Sequence, residues 1–87
     1  MELLKLIVTN LNLDIILAKV FASVFEDNNK NFVNIKEKNY EKWDSLRGIN
    51  LLLEVEKNFN IQITNDELLN FNSYKKIKKI IKSKLNE

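Results

Sequence analysis

The chain has 87 residues, with no cysteine, histidine or proline and one glycine; its 14 basic and 12 acidic residues leave a net charge of +2. That length fits one domain, which buries roughly 60–65% of its unfolded surface. Without cysteine there are no disulfides, without histidine there is no Ser-His relay, and the two absences together argue against a zinc site. The scarcity of turn residues argues against an all-β fold.

Residues 1–12, MELLKLIVTNLN, are apolar without a clean period. They read as an N-terminal extension packing on or preceding the rest. They lack the charged start, long apolar core and cleavage site of a signal peptide, and the longest apolar runs fall far short of the ~20 residues of a membrane span. A cytoplasmic chain without a membrane span is the expectation.

Asn12 is placed to cap a first helix, with Asp14 in its first turn. Leu13, Ile16, Leu17, Val20, Phe21 and Val24 follow helical spacing and predict that helix to about Phe25. The polar run Asp27-Asn28-Asn29-Lys30-Asn31 ends it. Residues 28–43 form a long connection, anchored by Phe32, Val33, Ile35 and Tyr40, with Trp43 fixing the loop against the body.

A second helix opens at Asp44 or Ser45 and runs to about Phe59. Leu51, Val55, Phe59, Leu52, Ile49 and Leu53 fill a wide apolar arc at about 100° per residue. Arg47, Asn50, Glu54, Lys57 and Asn58 gather on the polar arc. Gly48 falls in the apolar arc, where it suits the close approach of another helix. Thr64-Asn65-Asp66-Glu67 has the form of a capping box and predicts a short third helix containing Leu68 and Leu69. Asn72 or Ser73 then caps a last helix with the stripe Tyr74, Ile77, Ile81 and Leu85, joined by Ile80. The expected fold class is all-α, a small four-helix bundle with a short third helix and a long loop between helices 1 and 2.

Charge is uneven. Residues 75–84 hold six lysines and no acid, whereas residues 44–67 hold five acids against Arg47 and Lys57. The lysine run alternates with the isoleucine stripe, as on a solvated amphipathic helix. No arginine cluster or aromatic platform accompanies it, so nucleic acid is not the expected partner.

The serine hydroxyl of Trp43-Asp44-Ser45-Leu46 stands directly before the amphipathic run, with nothing nearby to activate it as a nucleophile. Such a serine either caps its helix or is the substrate of another enzyme, a point of covalent attachment. Asp44-Ser45-Leu46 continues as Arg47-Gly48-Ile49-Asn50-Leu51-Leu52-Leu53-Glu54-Val55-Glu56-Lys57-Asn58-Phe59. This pattern resembles the acyl carrier protein family, in a register without a gap from Asp44 to about Ile63. The resemblance covers roughly residues 13–85. A tryptophan before the motif is common among freestanding carriers outside housekeeping fatty-acid synthesis.

The resemblance implies that residues 13–87 form an acyl carrier domain that is not itself an enzyme. It implies a 4′-phosphopantetheine arm on Ser45, with Asp44 and Leu46 beside it, whose thiol holds acyl or aminoacyl groups as thioesters. Asp44, Leu46, Arg47, Asn50 and Glu56 would contact partners, and Ile49, Leu53, Phe59 and Ile63 would line an acyl pocket. Gly48 would have a second use in leaving space for the arm. The implied partners are a phosphopantetheinyl transferase, a loading ligase and acyl-transferring enzymes, serving a monomer. Arg47, Asn50 and Lys57 stand where housekeeping carriers often have acids, which points to dedicated partners.

Two rivals remain. One is a non-enzymatic domain binding nucleic acid or an anionic surface through the lysine-rich last helix. The other is a carrier-like scaffold that is never modified.

Overall fold

Three short polar side chains each start a helix by taking up an amide that the helix itself leaves unbonded. Asp44 Oδ1 accepts from the Arg47 amide at 2.9 Å, Thr64 Oγ1 from the Glu67 amide at 3.1 Å, and Ser73 Oγ from the Lys76 amide at 3.1 Å. Glu67 returns the bond, its Oε1 accepting from the Thr64 amide at 2.8 Å, which completes the expected capping box. The structure, a computed structural model, describes residues 12–28 and 30–86. Apart from Asn12, the N-terminal extension expected over residues 1–12 lies outside them.

The described residues form four α-helices and no strand: α1 (Leu13–Phe25), α2 (Ser45–Phe59), α3 (Asn65–Leu68) and α4 (Tyr74–Leu85). This fits a small helical bundle. Asn12 holds the cap position of α1, but its side chain makes no capping bond. Helices α1 and α2 end alike, in a left-handed residue, Glu26 at φ 53° and Asn60 at φ 54°. The next amide then reaches back to the last turn, Asp27 to the Ala22 carbonyl at 3.1 Å and Ile61 to the Glu56 carbonyl at 3.2 Å. This is the Schellman closure.

The long connection folds as two 3₁₀ turns, Phe32–Asn34 and Glu37–Asn39. Main-chain bonds tie it to the entry of α4: Glu37 N donates to Asn72 O at 2.8 Å and Tyr74 N to Ile35 O at 3.0 Å. Phe32 and Ile35 are buried as expected and Tyr40 is half-buried. Val33 is 44% exposed, a correction to its reading as an anchor. Phe32, one residue earlier in the same tight turn, takes the inward position.

Aromatic rings fill the centre. Phe21, fully buried on α1, has ring centroids 5.1 Å from Tyr74, 5.4 Å from Phe32 and 5.7 Å from both Phe25 and Trp43. Such tilted and edge-on pairs add to the burial of their area. Trp43 is buried among them and holds the loop to α1, as its sequence position suggested. Leu51, Val55 and Phe59 from α2, and Ile77 and Ile81 from α4, close the core.

Two polar contacts lock distant elements. The Tyr74 hydroxyl donates to Asp14 Oδ1 at 3.1 Å, and Lys78 Nζ donates to Asp14 Oδ2 at 2.9 Å. The Lys78 bond, with smaller help from Tyr74, holds the Asp14 carboxyl below its usual range despite a partial burial that opposes it. Burial, then the Asp14 charge and bond, drives the Tyr74 phenol well up. The Tyr40 hydroxyl donates to Asp27 Oδ2 at 2.8 Å. Burial and that bond push Tyr40 up to about 12.

Two further expectations are corrected. Leu69 lies just past α3 and is 77% exposed, because the helix ends after a single turn. Gly48 faces the loop's indole rather than a second helix: a Cβ there would lie 3.4 Å from Trp43 Nε1, in ordinary contact.

Candidate functional site

Asp44 has extended backbone (φ −99°, ψ −176°) and caps α2, so Ser45 becomes the helix's first residue. Its hydroxyl is therefore not the cap. The Ser45 side chain is exposed and makes no hydrogen bond among the described residues. The four first amides of a helix have no partner inside it. Of those, the Asp44 amide donates to the Lys42 carbonyl at 3.1 Å and the Arg47 amide to the Asp44 side chain at 2.9 Å, while the Gly48 amide begins the helix's own ladder on the Asp44 carbonyl at 2.8 Å. The amides of Ser45 and Leu46 have no partner among the described residues, at the positive end of a 15-residue helix. An anion fixed on the Ser45 oxygen gains from those donors and from the helix dipole by some tenths of a kcal/mol when exposed. A phosphodiester fits there: the attachment oxygen is free and open, and donors stand beside it.

Arg47 closes one side. Its guanidinium lies 3.7 Å from Asp44 Oδ2 and 3.7 Å from Glu26 Oε2. These are loose, exposed pairs worth less than about 1 kcal/mol each. On the other side stand Gly48, one turn along the helix from Ser45, and the Trp43 indole against it.

Leu46, Ile49 and Leu53 are 68%, 56% and 55% exposed. At i, i+3 and i+7 they form one outward stripe beginning beside Ser45. Ile49 and Leu53 therefore do not line an interior chamber in this structure. Leu53 instead borders a shallow surface recess with Val24, Glu26, Asn50 and Glu54. Phe59 is buried in the core and Ile63 half-buried in the turn after α2. The four residues read as an acyl pocket are thus not gathered at one place. The core side of α2 is Leu51, Val55 and Phe59, spaced i, i+4, i+8, and among the described residues no element covers the side carrying Ile49 and Leu53.

Among the residues read as partner contacts, Asp44, Leu46 and Asn50 are exposed and Arg47 is half-exposed. Glu56 is tied to its own chain: its Oε2 accepts from the Ile63 amide at 2.9 Å, fixing the turn that leads to α3. The Asp14, Tyr74 and Lys78 contact had no signal in the sequence, since its partners stand 60 and 64 positions apart.

Among the described residues there is no cluster of acids able to hold a metal, and no helix long and apolar enough to cross a membrane. The chain matches no protein-family model, no curated protein and no solved structure.

Proposed function

We propose that the protein is a carrier whose Ser45 is modified with 4′-phosphopantetheine, and that it presents acyl or aminoacyl thioesters to partner enzymes of a dedicated biosynthetic pathway. The observation that carries this reading is the division of labour at the start of α2. Asp44 caps the helix, and Ser45 is left exposed with an unbonded hydroxyl. A serine retained only for capping would occupy the position Asp44 holds.

A transferase supplies the chemistry that this chain lacks. The Ser45 oxygen attacks the phosphopantetheine phosphorus of coenzyme A and a new P–O bond forms. The pyrophosphate P–O bond breaks, adenosine 3′,5′-bisphosphate leaves, and the serine proton passes to a base of the transferase. The arm, when attached, supplies the thiol that a cysteine-free chain does not have. Asp44 keeps the first turn formed, the Ser45 and Leu46 amides face the phosphodiester, and Leu46 offers an exposed apolar contact beside it. Tethering raises the local concentration of cargo at each partner.

The test is intact-protein mass after incubation with coenzyme A, magnesium and a broad-specificity phosphopantetheinyl transferase. One phosphopantetheine addition is expected, absent in Ser45→Ala. A folded wild type that stays unmodified overturns the reading.

A second reading rests on α4. Lys75, Lys76, Lys79 and Lys82 are exposed and belong to no ion pair among the described residues. This basic face suits an anionic surface or nucleic acid. Salt-sensitive binding to anionic vesicles or to nucleic acid that survives Ser45→Ala supports it; no binding at low salt removes it.

A further inference from the structure

A recess of about 440 Å³ lies between the loop after the first 3₁₀ turn and the entry of α4, lined by Lys36, Glu37, Lys38, Trp43, Asn72 and Lys76. Its walls are held by main chain, through the Glu37-to-Asn72 and Tyr74-to-Ile35 bonds. Lys36 is further fixed, its amide donating to Asn39 Oδ1 at 2.8 Å. Three lysines face one glutamate. None of the three is in an ion pair among the described residues, in contrast to Lys42, Arg47, Lys78 and Lys84. The recess is thus a concave, net-positive place whose cations have no protein counter-charge within salt-bridge distance.

Trp43 joins this recess to Ser45. Trp43 lines the recess, and its Nε1 lies 3.4 Å from where a Cβ on Gly48 would stand, one helical turn beyond Ser45. The indole N–H donates to nothing among the described residues. Two steps of chain separate Trp43 from Ser45, so their Cα atoms are at most about 7 Å apart. A phosphopantetheine arm on Ser45 that folds back over Trp43 can bring the group on its thiol to this recess, beside the indole N–H. In the other direction it meets the stripe of Leu46, Ile49 and Leu53, which is exposed.

Building on the carrier reading, we infer that this recess receives the anionic end of the cargo held on Ser45, so that the cargo is an acyl group with a carboxylate or similar anion at its far end. A neutral alkyl end gains nothing from three cations. An anionic end gains from each, and because the lysines are exposed the gain is modest and screened by salt. Lysine, a compact point charge on a flexible stem, suits a terminus whose position varies with chain length.

The experiment loads Ser45 from succinyl-coenzyme A and, separately, from butyryl-coenzyme A, which is of similar length but neutral at its end. Loading is confirmed by intact mass. Amide and indole NMR then follow Trp43, Lys36, Lys38, Asn72 and Lys76 at low salt. The succinyl form is expected to shift these resonances relative to the butyryl form, and the difference is expected to vanish at high salt and in Lys36→Gln/Lys76→Gln. Those substitutions are at exposed positions, and an unchanged thermal midpoint verifies that the variant is folded. Loading without any difference between the two cargoes overturns the inference and leaves the carrier reading standing. Free succinate at the protein's concentration causing the same shifts also overturns it, since the recess would then bind solution anions without the tether. Failure of loading overturns both.

Discussion

The Trp43 indole packs against Gly48: a Cβ on Gly48 would sit 3.4 Å from Nε1 and 3.7 Å from Cδ1. One carbon at those distances is in ordinary van der Waals contact, and a branched side chain built on it starts against the buried ring. Gly48 also has no positive φ, so its backbone suits alanine. Alanine is favoured over glycine inside a helix by up to ~1 kcal/mol. Gly48→Ala is expected to raise the thermal midpoint by a few degrees, the scale on which ~1 kcal/mol acts in a domain of this size. Gly48→Leu is expected to lower it and to shift Trp43 emission to the red. Thermal melts followed by the fluorescence of this lone tryptophan read both outcomes.

Asp14 gives stability a defined acid dependence. Its carboxyl titrates lower in the fold than in the unfolded chain, chiefly through the Lys78 bond. The stabilisation is complete above the unfolded value of about 4 and is lost as pH falls through the lower folded value. Glu67, held low first by Lys84 and then by the Thr64 amide, behaves likewise. Asp14→Asn keeps an acceptor for the Tyr74 hydroxyl and removes the charge facing Lys78. It is expected to flatten part of the acid limb below about pH 4 and to cost less than about 1 kcal/mol at neutral pH, because the pair is largely exposed. Urea unfolding between neutral and strongly acid pH checks this.

Tyr40 sets the alkaline limb in the opposite sense. Its folded value, pushed up to about 12 by burial and by Asp27, exceeds the unfolded value of about 10. The stability it gives is therefore complete below about pH 10 and declines as pH rises towards about 12. Tyr40→Phe is expected to soften that decline while losing the Asp27 bond, worth ~1 kcal/mol at neutral pH. Tyr74, raised further by burial, extends the limb. An unchanged alkaline limb in Tyr40→Phe would count against this assignment.

Much of the fold was legible because its signals are local. The limits of α1 followed from apolar spacing and a polar run. The starts of α3 and α4 followed from Thr64 with Glu67 and from Ser73, whose capping bonds span three residues. The start of α2 at Asp44 and Ser45 was legible through the run that follows it. The orientation of α2 was less so. Six apolar residues on a wide arc do not say which of them another element will cover, and burial fell on Leu51, Val55 and Phe59 while Ile49 and Leu53 faced out. Likewise, nothing around Gly48 identifies Trp43 as its neighbour, and nothing in the spacing of Lys36, Lys38 and Lys76 shows that a loop and a helix entry will bring them to one recess. These are long-range contacts, written in no local pattern.

Ser45, Asp44 and Leu46 are adjacent, and their expected effects separate cleanly. Ser45→Ala removes an exposed hydroxyl with no bond among the described residues, so stability should change by less than about 0.5 kcal/mol, and on the proposed function modification is abolished. Asp44→Ala removes the cap of α2, with an expected loss of about 0.5–2 kcal/mol and a slower modification. Leu46→Glu leaves the core untouched, since Leu46 is 68% exposed. It is expected to leave the thermal midpoint in place and, on the proposed function, to slow transfer between the loaded carrier and its partner enzymes. Thermal melts beside transferase and acyl-transfer rates test all three. The pattern that would defeat this division of labour is a Ser45→Ala variant as destabilised as Asp44→Ala, because the hydroxyl would then be part of the helix start rather than a free point of attachment.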